Sequence, residues 1–501
     1  VIFKDGANTL STGTLGAGGV ATYTTSLLGA GVHTMTADYA GTPNVLGSIS
    51  SGVVQTVNTA SQTITFDALA DKQYGAAAFT VTATASSGLT VTFASMTPAV
   101  CTVSGPTVSL VANGACTIRA SQGGNSNYYS AANVERSFNV TCADSVVVNN
   151  AADSGYRTLR GAVANVCDGG TVSFDAALDN QTIVLTGGQI AITKTVTIDG
   201  PGAAKLAVSG GGASRIFAGS AGTPITIDGL TMRDGYTNEY DGGGAIYAAG
   251  PLTVTGSSFV SNTVMGYDES RGHGGAISFA GSNTHALVIS GTSFLSNTAA
   301  IAGGALSVAN GTLVLDDSIL TGNAAFGLGR WGGALICDTC GFTIDGATFS
   351  NNQAVKGGAF YITDKNIHYS IITGSTFQGN QAAPDGDGEG GAIYIDVYEG
   401  ITITGTTVLS NAAGSGGGLY INSIGLDEGG LDLRNSQVAG NTAAAQGGGI
   451  FNQGWLRILE GTTFSANSAV IGGALYDVGW LSVSASSFFS NTAKNGGAIT
   501  V

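Results

Sequence analysis

Gly390-Gly391-Ala392-Ile393-Tyr394-Ile395-Asp396 is the stretch on which the fold turns. Apolar and polar side chains alternate after the two glycines, a period of two that marks a strand. The glycines suit a tight corner entering that strand, where positive φ or close backbone approach is needed. The same Gly-Gly-small-aliphatic motif begins at residues 243, 274, 303, 332, 357, 390, 416, 447, 472 and 496, at spacings of 24 to 33 residues. A fixed motif at such a period means stacked equal units, each one circuit of a β-solenoid. The aliphatic slot reads Ile246, Ile277, Leu306, Leu335, Phe360, Ile393, Leu419, Ile450, Leu475 and Ile499; it never takes a polar residue and is placed inside.

A second short strand follows in each unit, as in Leu252-Thr253-Val254, and leads into an apolar-x-x-Asn turn such as Ser258-Phe259-Val260-Ser261-Asn262. Stacking puts Asn262, Asn297, Asn323, Asn352, Asn380, Asn411, Asn441, Asn467 and Asn491 one above another. Their amides can then bond in a ladder, with the Phe column filling the interior beside it. These residues resemble the Gly-Gly-Ala-Ile and Phe-x-x-Asn repeats of chlamydial-type polymorphic outer membrane proteins, over roughly residues 225–501. That resemblance implies a right-handed parallel β-helix exposed on a bacterium.

Upstream, Ile192–Gly202 and Ile225–Thr231 look like the first coils of related bacterial β-helix surface proteins, in which a short helix covers the solenoid's end. Thr158-Leu159-Arg160-Gly161-Ala162-Val163 occupies that place, and Gly161 in place of the family's acid predicts a less helical cap. Residues 1–57 resemble the later part of a bacterial Ig-like repeat, and residues 58–141 a second bacterial β-sandwich module, with strands every 8–12 residues. The expected fold is therefore all-β: an incomplete Ig-like β-sandwich at 1–57, a second at 58–141, a linker and cap at 142–168, and a right-handed parallel β-helix over 169–501. Both ends read as lying within a longer chain, and any signal peptide as removed or outside it.

Lys and Arg number 17 against 32 acids, and a formal charge of −15 repels phosphate backbones, so nucleic acid is not an expected partner. No run of 18 apolar residues offers a transmembrane helix. The six cysteines fall in local pairs: Cys101 with Cys116, Cys142 with Cys167, and Cys337 with Cys340. In an extracellular chain three disulfides are expected, each closing a short loop; zinc or redox chemistry at Cys337 and Cys340 is the weaker alternative.

Candidates for chemistry are few. Asp385, Asp387 and Glu389 alternate like part of a calcium loop, but no helix flanks them, so no cofactor is expected and Ca²⁺ stays a minor alternative. Asp268, Glu269, Asp427 and Glu428 read as solvated insertions. Arg271-Gly272-His273-Gly274 resembles the Gly-His-Gly of pectin-degrading β-helix hydrolases, whose Asn-Thr-Asp element is missing here. Glycoside hydrolysis needs two placed carboxyls, and Asp316-Asp317 has no evident match in other units.

The binding candidate is the outward column one place after the buried aliphatic. There Tyr361, Tyr394, Tyr420, Phe451 and Tyr476 form an unbroken aromatic stripe, either a self-stacking ladder or an exposed platform. The resulting expectation is a non-enzymatic structural or adhesive protein, extracellular or on the bacterial cell surface. Its partners would be a glycan, a host or neighbouring cell, or copies of itself in a filament or matrix. A carbohydrate-active β-helix enzyme, hydrolase or lyase, is the alternative.

Overall fold

A computed structural model of the chain describes residues 1–266, 272–327, 330–364, 370–383, 386–397, 400–422 and 430–501. Asp268, Glu269, Arg271, Asp385, Asp427 and Glu428 thus lie outside the described residues. The chain divides into two compact units, Val1–Thr141 and Cys142–Val501.

In the first unit, residues 1–57 form one five-stranded antiparallel sheet around Gly31–Tyr39, and none of their side chains is fully buried. Residues 58–141 do have a core: Phe66, Tyr74, Val108, Ile118 and Phe138 are buried. A four-stranded sheet and a three-stranded sheet surround it, and the Cys101–Cys116 disulfide joins them.

The second unit is a parallel β-solenoid of about 12 coils. Sheet A has 13 strands, from Ala143–Val148 to Trp480–Val483. Sheet B has 12, from Gln181–Val184 to Ser487–Phe489. Sheet C also has 12, from Ile190–Ile192 to Ile499–Thr500, and takes up the strands that follow Gly-Gly. Sheet D has eight short strands, from Tyr236–Thr237 to Thr442–Gln446. A repeating coil visits C, A, B and D in turn, and each strand pairs in register with its counterpart one coil on, as in Ile246↔Ile277↔Leu306 and Phe259↔Phe294. The ten aliphatics of sheet C, apart from Ile499 in the last strand, are buried, and Phe259 stacks on Phe294 at 4.8 Å.

The two corner glycines have different causes. The first is left-handed in every copy, as at Gly303 with φ +60°, where a Cβ would also collide with the Leu306 carbonyl. The second, Gly304, abuts the Gly333 carbonyl of the next coil, so there it is the spacing between coils that excludes a side chain.

Two expectations change at the start of the solenoid. Ala143–Val148, which the sequence places in a linker, is the first strand of sheet A and pairs in parallel with Val166–Phe174. The cap is helical over Leu159–Asn165 despite Gly161, because Thr158 accepts the Gly161 N–H at 3.2 Å and Leu159, Ala162 and Val163 are buried. Among the described residues no helix is long and apolar enough to cross a membrane.

Candidate functional site

The Asn column is a continuous chain of buried amides. In Asn297, Oδ1 accepts from the backbone N–H of Asn262 at 3.0 Å and from its Nδ2 at 2.9 Å. Its own Nδ2 donates to Asn323 Oδ1 at 3.0 Å and to the Phe259 carbonyl at 3.1 Å. The same pattern continues coil by coil to Asn467, which donates to Asn491 Oδ1 at 2.9 Å. The residue before each Asn is left-handed, from Ser261 (φ +54°) to Ser490 (φ +55°), which turns the chain so that the amide points inward.

A second polar column escaped the sequence reading. Ser257, Thr292, Ser318, Ser375, Thr406, Ser436 and Thr462 are buried at the corner between sheets A and B. In most rungs the hydroxyl bonds a carbonyl of its own turn and accepts a backbone N–H from the preceding coil, as when Thr292 N–H donates to Ser318 Oγ at 3.2 Å. Its signal was available as a Gly, Asp or Asn with positive φ, followed by a small hydroxylic residue, just before the Phe column.

The aromatic stripe does stack. Tyr361–Tyr394, Tyr394–Tyr420 and Tyr420–Phe451 lie 4.9, 5.2 and 4.5 Å apart with planes within 11°, and Phe451–Tyr476 is tilted at 5.3 Å. It is not the exposed platform weighed as one reading. Tyr394 is 3% exposed, Tyr420 and Phe451 are buried, and only the end rings Tyr361 and Tyr476 are half-buried. Long polar side chains help cover it: Lys356 Nζ sits 4.9 Å over the Tyr394 ring, and Gln453 Nε2 donates to the Tyr420 hydroxyl at 2.6 Å. Burial, reinforced by Glu389, holds the phenols of Tyr394 and Tyr420 far above their ordinary pKa; burial with Asp396 does the same for Tyr361.

Disulfides join Cys101 to Cys116, Cys142 to Cys167, and Cys337 to Cys340. No group of three or more His, Cys, Asp or Glu among the described residues is arranged to hold a metal ion. Of the calcium candidates, Asp387 is exposed, while Glu389 is engaged by Lys356 Nζ at 2.6 Å. The backbone of His273 bridges Ala302, and its carbonyl accepts from Gly243, so its segment is part of the ladder rather than a free loop. Asp316 does have a match in the next coil, contrary to the sequence reading: Asp345 pairs in register with it. Burial first, then repulsion from Asp345 and Asp317, raises the Asp316 pKa.

A further surface feature lies on the outer face of sheet A. Trp455 and Trp480 occupy the same place in successive coils and stack at 4.6 Å. In the two preceding coils that place falls to Gly430 and Gly400, opening a cleft of about 380 Å³. Beside it runs the column Thr402, Asp432, Arg457, Ser482. Asp432 accepts from Arg457 Nε at 2.5 Å and from Arg434 Nη2 at 3.1 Å. The sequence reading missed this cleft because two tryptophans make no repeat.

Stacked coils with shared interior ladders, preceded by an Ig-like domain, define a β-solenoid repeat protein. Residues 1–58 match the bacterial Ig-like domain (group 3) model, and residues 346–363 and 374–396 match the Chlamydia polymorphic membrane protein repeat. Both matches fit a bacterial surface protein. No curated protein matches the chain. Among solved structures the chain is similar to a Yersinia enterocolitica family 28 exopolygalacturonase at 9% identity and a TM-score of 0.29, over 77% of this chain and 85% of that one. So loose a likeness transfers no chemistry.

Proposed function

We propose that the chain is a non-catalytic structural and adhesive protein of the bacterial surface. It works as a rigid display element whose partners are glycans and cell surfaces, or copies of itself in a filament or matrix. The observation that carries this reading is the unbroken amide ladder from Asn262 to Asn491, which commits the interior of nine coils to holding shape. Three disulfides and no free cysteine fit an oxidising environment outside the cytosol. Covered tyrosines in the aromatic column support a stiffening role for it.

The test is protease shaving and antibody labelling of intact producing cells, together with incubation of the purified chain with a panel of polysaccharides. Surface labelling without release of reducing ends or unsaturated products is expected. Retention of the protein inside the cell would overturn the surface assignment, and product release would favour the carbohydrate-active alternative.

A further inference from the structure

We propose that the notch beside Trp455 binds one acidic pyranose unit of a glycan, its ring stacked on the indole and its carboxylate paired with Arg457. This deepens the adhesive reading above by naming the class of ligand.

The argument begins with the column itself. The stripe from Tyr361 to Tyr476 fills itself, each ring covering the next. The tryptophan column does not. Trp480 covers one face of Trp455, while the next two places on the other side hold glycine. Gly430 is enforced by the backbone: a Cβ there would collide with the Trp455 carbonyl. Among the described residues, the backbone thus keeps the place at Gly430 vacant. Coils repeat at ~4.8 Å, so each empty rung leaves the thickness of one stacked ring. The cleft of about 380 Å³ is within the range of small-ligand sites.

Charge narrows the ligand. Two guanidiniums, of Arg434 and Arg457, share the single carboxylate of Asp432, so that trio carries one positive charge in excess. The Arg457 side chain is 54% exposed, and its terminal nitrogens make no hydrogen bond among the described residues. They are placed to form charge-assisted bonds with a carboxylate entering beside the indole. A cationic ligand would meet the two arginines. A carboxylated sugar satisfies both walls, with C–H groups against the ring and oxygen atoms toward Arg457.

The experiment is calorimetric titration of the purified full chain with a glucuronic acid oligosaccharide and with its methyl ester, so that cellular location plays no part. We expect binding of the acid form and about tenfold or more weaker binding of the ester, the scale of a lost charge-assisted bond. Trp455→Ala should abolish binding, Arg457→Gln should weaken it to the level of the ester, and Thr402→Trp should block it by filling the notch from its side. Thermal unfolding midpoints identify variants that remain folded, and Arg457→Gln and Thr402→Trp keep the question open to decision should Trp455→Ala misfold. No heat from the acid form at millimolar concentration would overturn the proposal. So would equal binding of the ester, or unchanged binding by any folded variant.

Discussion

A single ladder asparagine serves several buried partners at once, which explains why no other residue type appears in the column. In Asn352, Oδ1 accepts two bonds from Asn323, and Nδ2 donates to Asn380 Oδ1 and to the Leu320 carbonyl. Asp could not donate, and Leu could do neither. Asn352→Leu strands two donors on Asn323 and removes a donor from both Asn380 Oδ1 and the Leu320 carbonyl. At about 1–3 kcal/mol for each buried group left unsatisfied, a loss of about 3 kcal/mol or more is expected. A clear drop in thermal midpoint, with faster amide exchange around Asn323 and Asn380, would show it; an unchanged midpoint would refute the ladder's energetic role. This column was legible in the sequence because a buried amide must recur in every coil. The notch was not, since Gly430 and Gly400 carry no signal until the register places them beside Trp455.

At the scale of elements, the end cap and the aromatic stripe make opposite demands on pH. Asp153 binds the cap to the solenoid, accepting from Arg160 Nη2 at 2.8 Å and from the backbone of Thr186 at 2.9 Å and Gly187 at 2.5 Å. Burial alone would raise its pKa, but the bonds from Gly187, Arg160 and Thr186 outweigh it and hold the carboxylate low. Its contribution is therefore complete above the unfolded pKa of about 4 and is lost as pH falls through the depressed folded value. Exchange at Leu159–Asn165 should accelerate selectively in acid, and Asp153→Asn should remove most of that pH dependence. The stripe responds to base. Because burial raises the pKa of Tyr361, Tyr394 and Tyr420, its stabilisation is complete below about pH 10 and is lost as pH rises through the folded values. Ultraviolet titration of the folded chain should leave three phenols un-ionised past the ordinary tyrosine range. Ionisation of all of them near pH 10 would contradict their burial. Alternation showed that these rings leave the outer face of their sheet, but the cover from Lys356 and Gln453 comes from other segments that the strand pattern does not report. The cap helix escaped for a similar reason: burial of Leu159 and Val163 outweighs the weak propensity of Gly161.

For the whole solenoid, equivalence of the coils means that a complete unit can be removed while its neighbours still match. Excising residues 357–389 would bring Leu335 against Ile393 and Asn352 against Asn411, the same pairings that successive coils already use. The shortened chain should keep its β-sheet circular dichroism and unfold cooperatively. Removing only residues 357–373 would misplace every later column and should leave insoluble or unfolded protein. Tolerance of both deletions would disprove register as the organising constraint. Most circuits were legible at this scale because each of the ten Gly-Gly doublets marks one of the about 12 coils; the strand Ala143–Val148 was not, since no repeat element marks it. The parallel ladder also sets the mechanics of a tether. Its hydrogen bonds run along the solenoid axis, so tension applied to an end would break one circuit at a time. Successive doublets are 24 to 33 residues apart, which at about 3.5 Å per extended residue gives ~80–115 Å of slack per event. Stretched between two anchors, such a molecule would yield in small, nearly equal steps and act as a shock absorber rather than a brittle link.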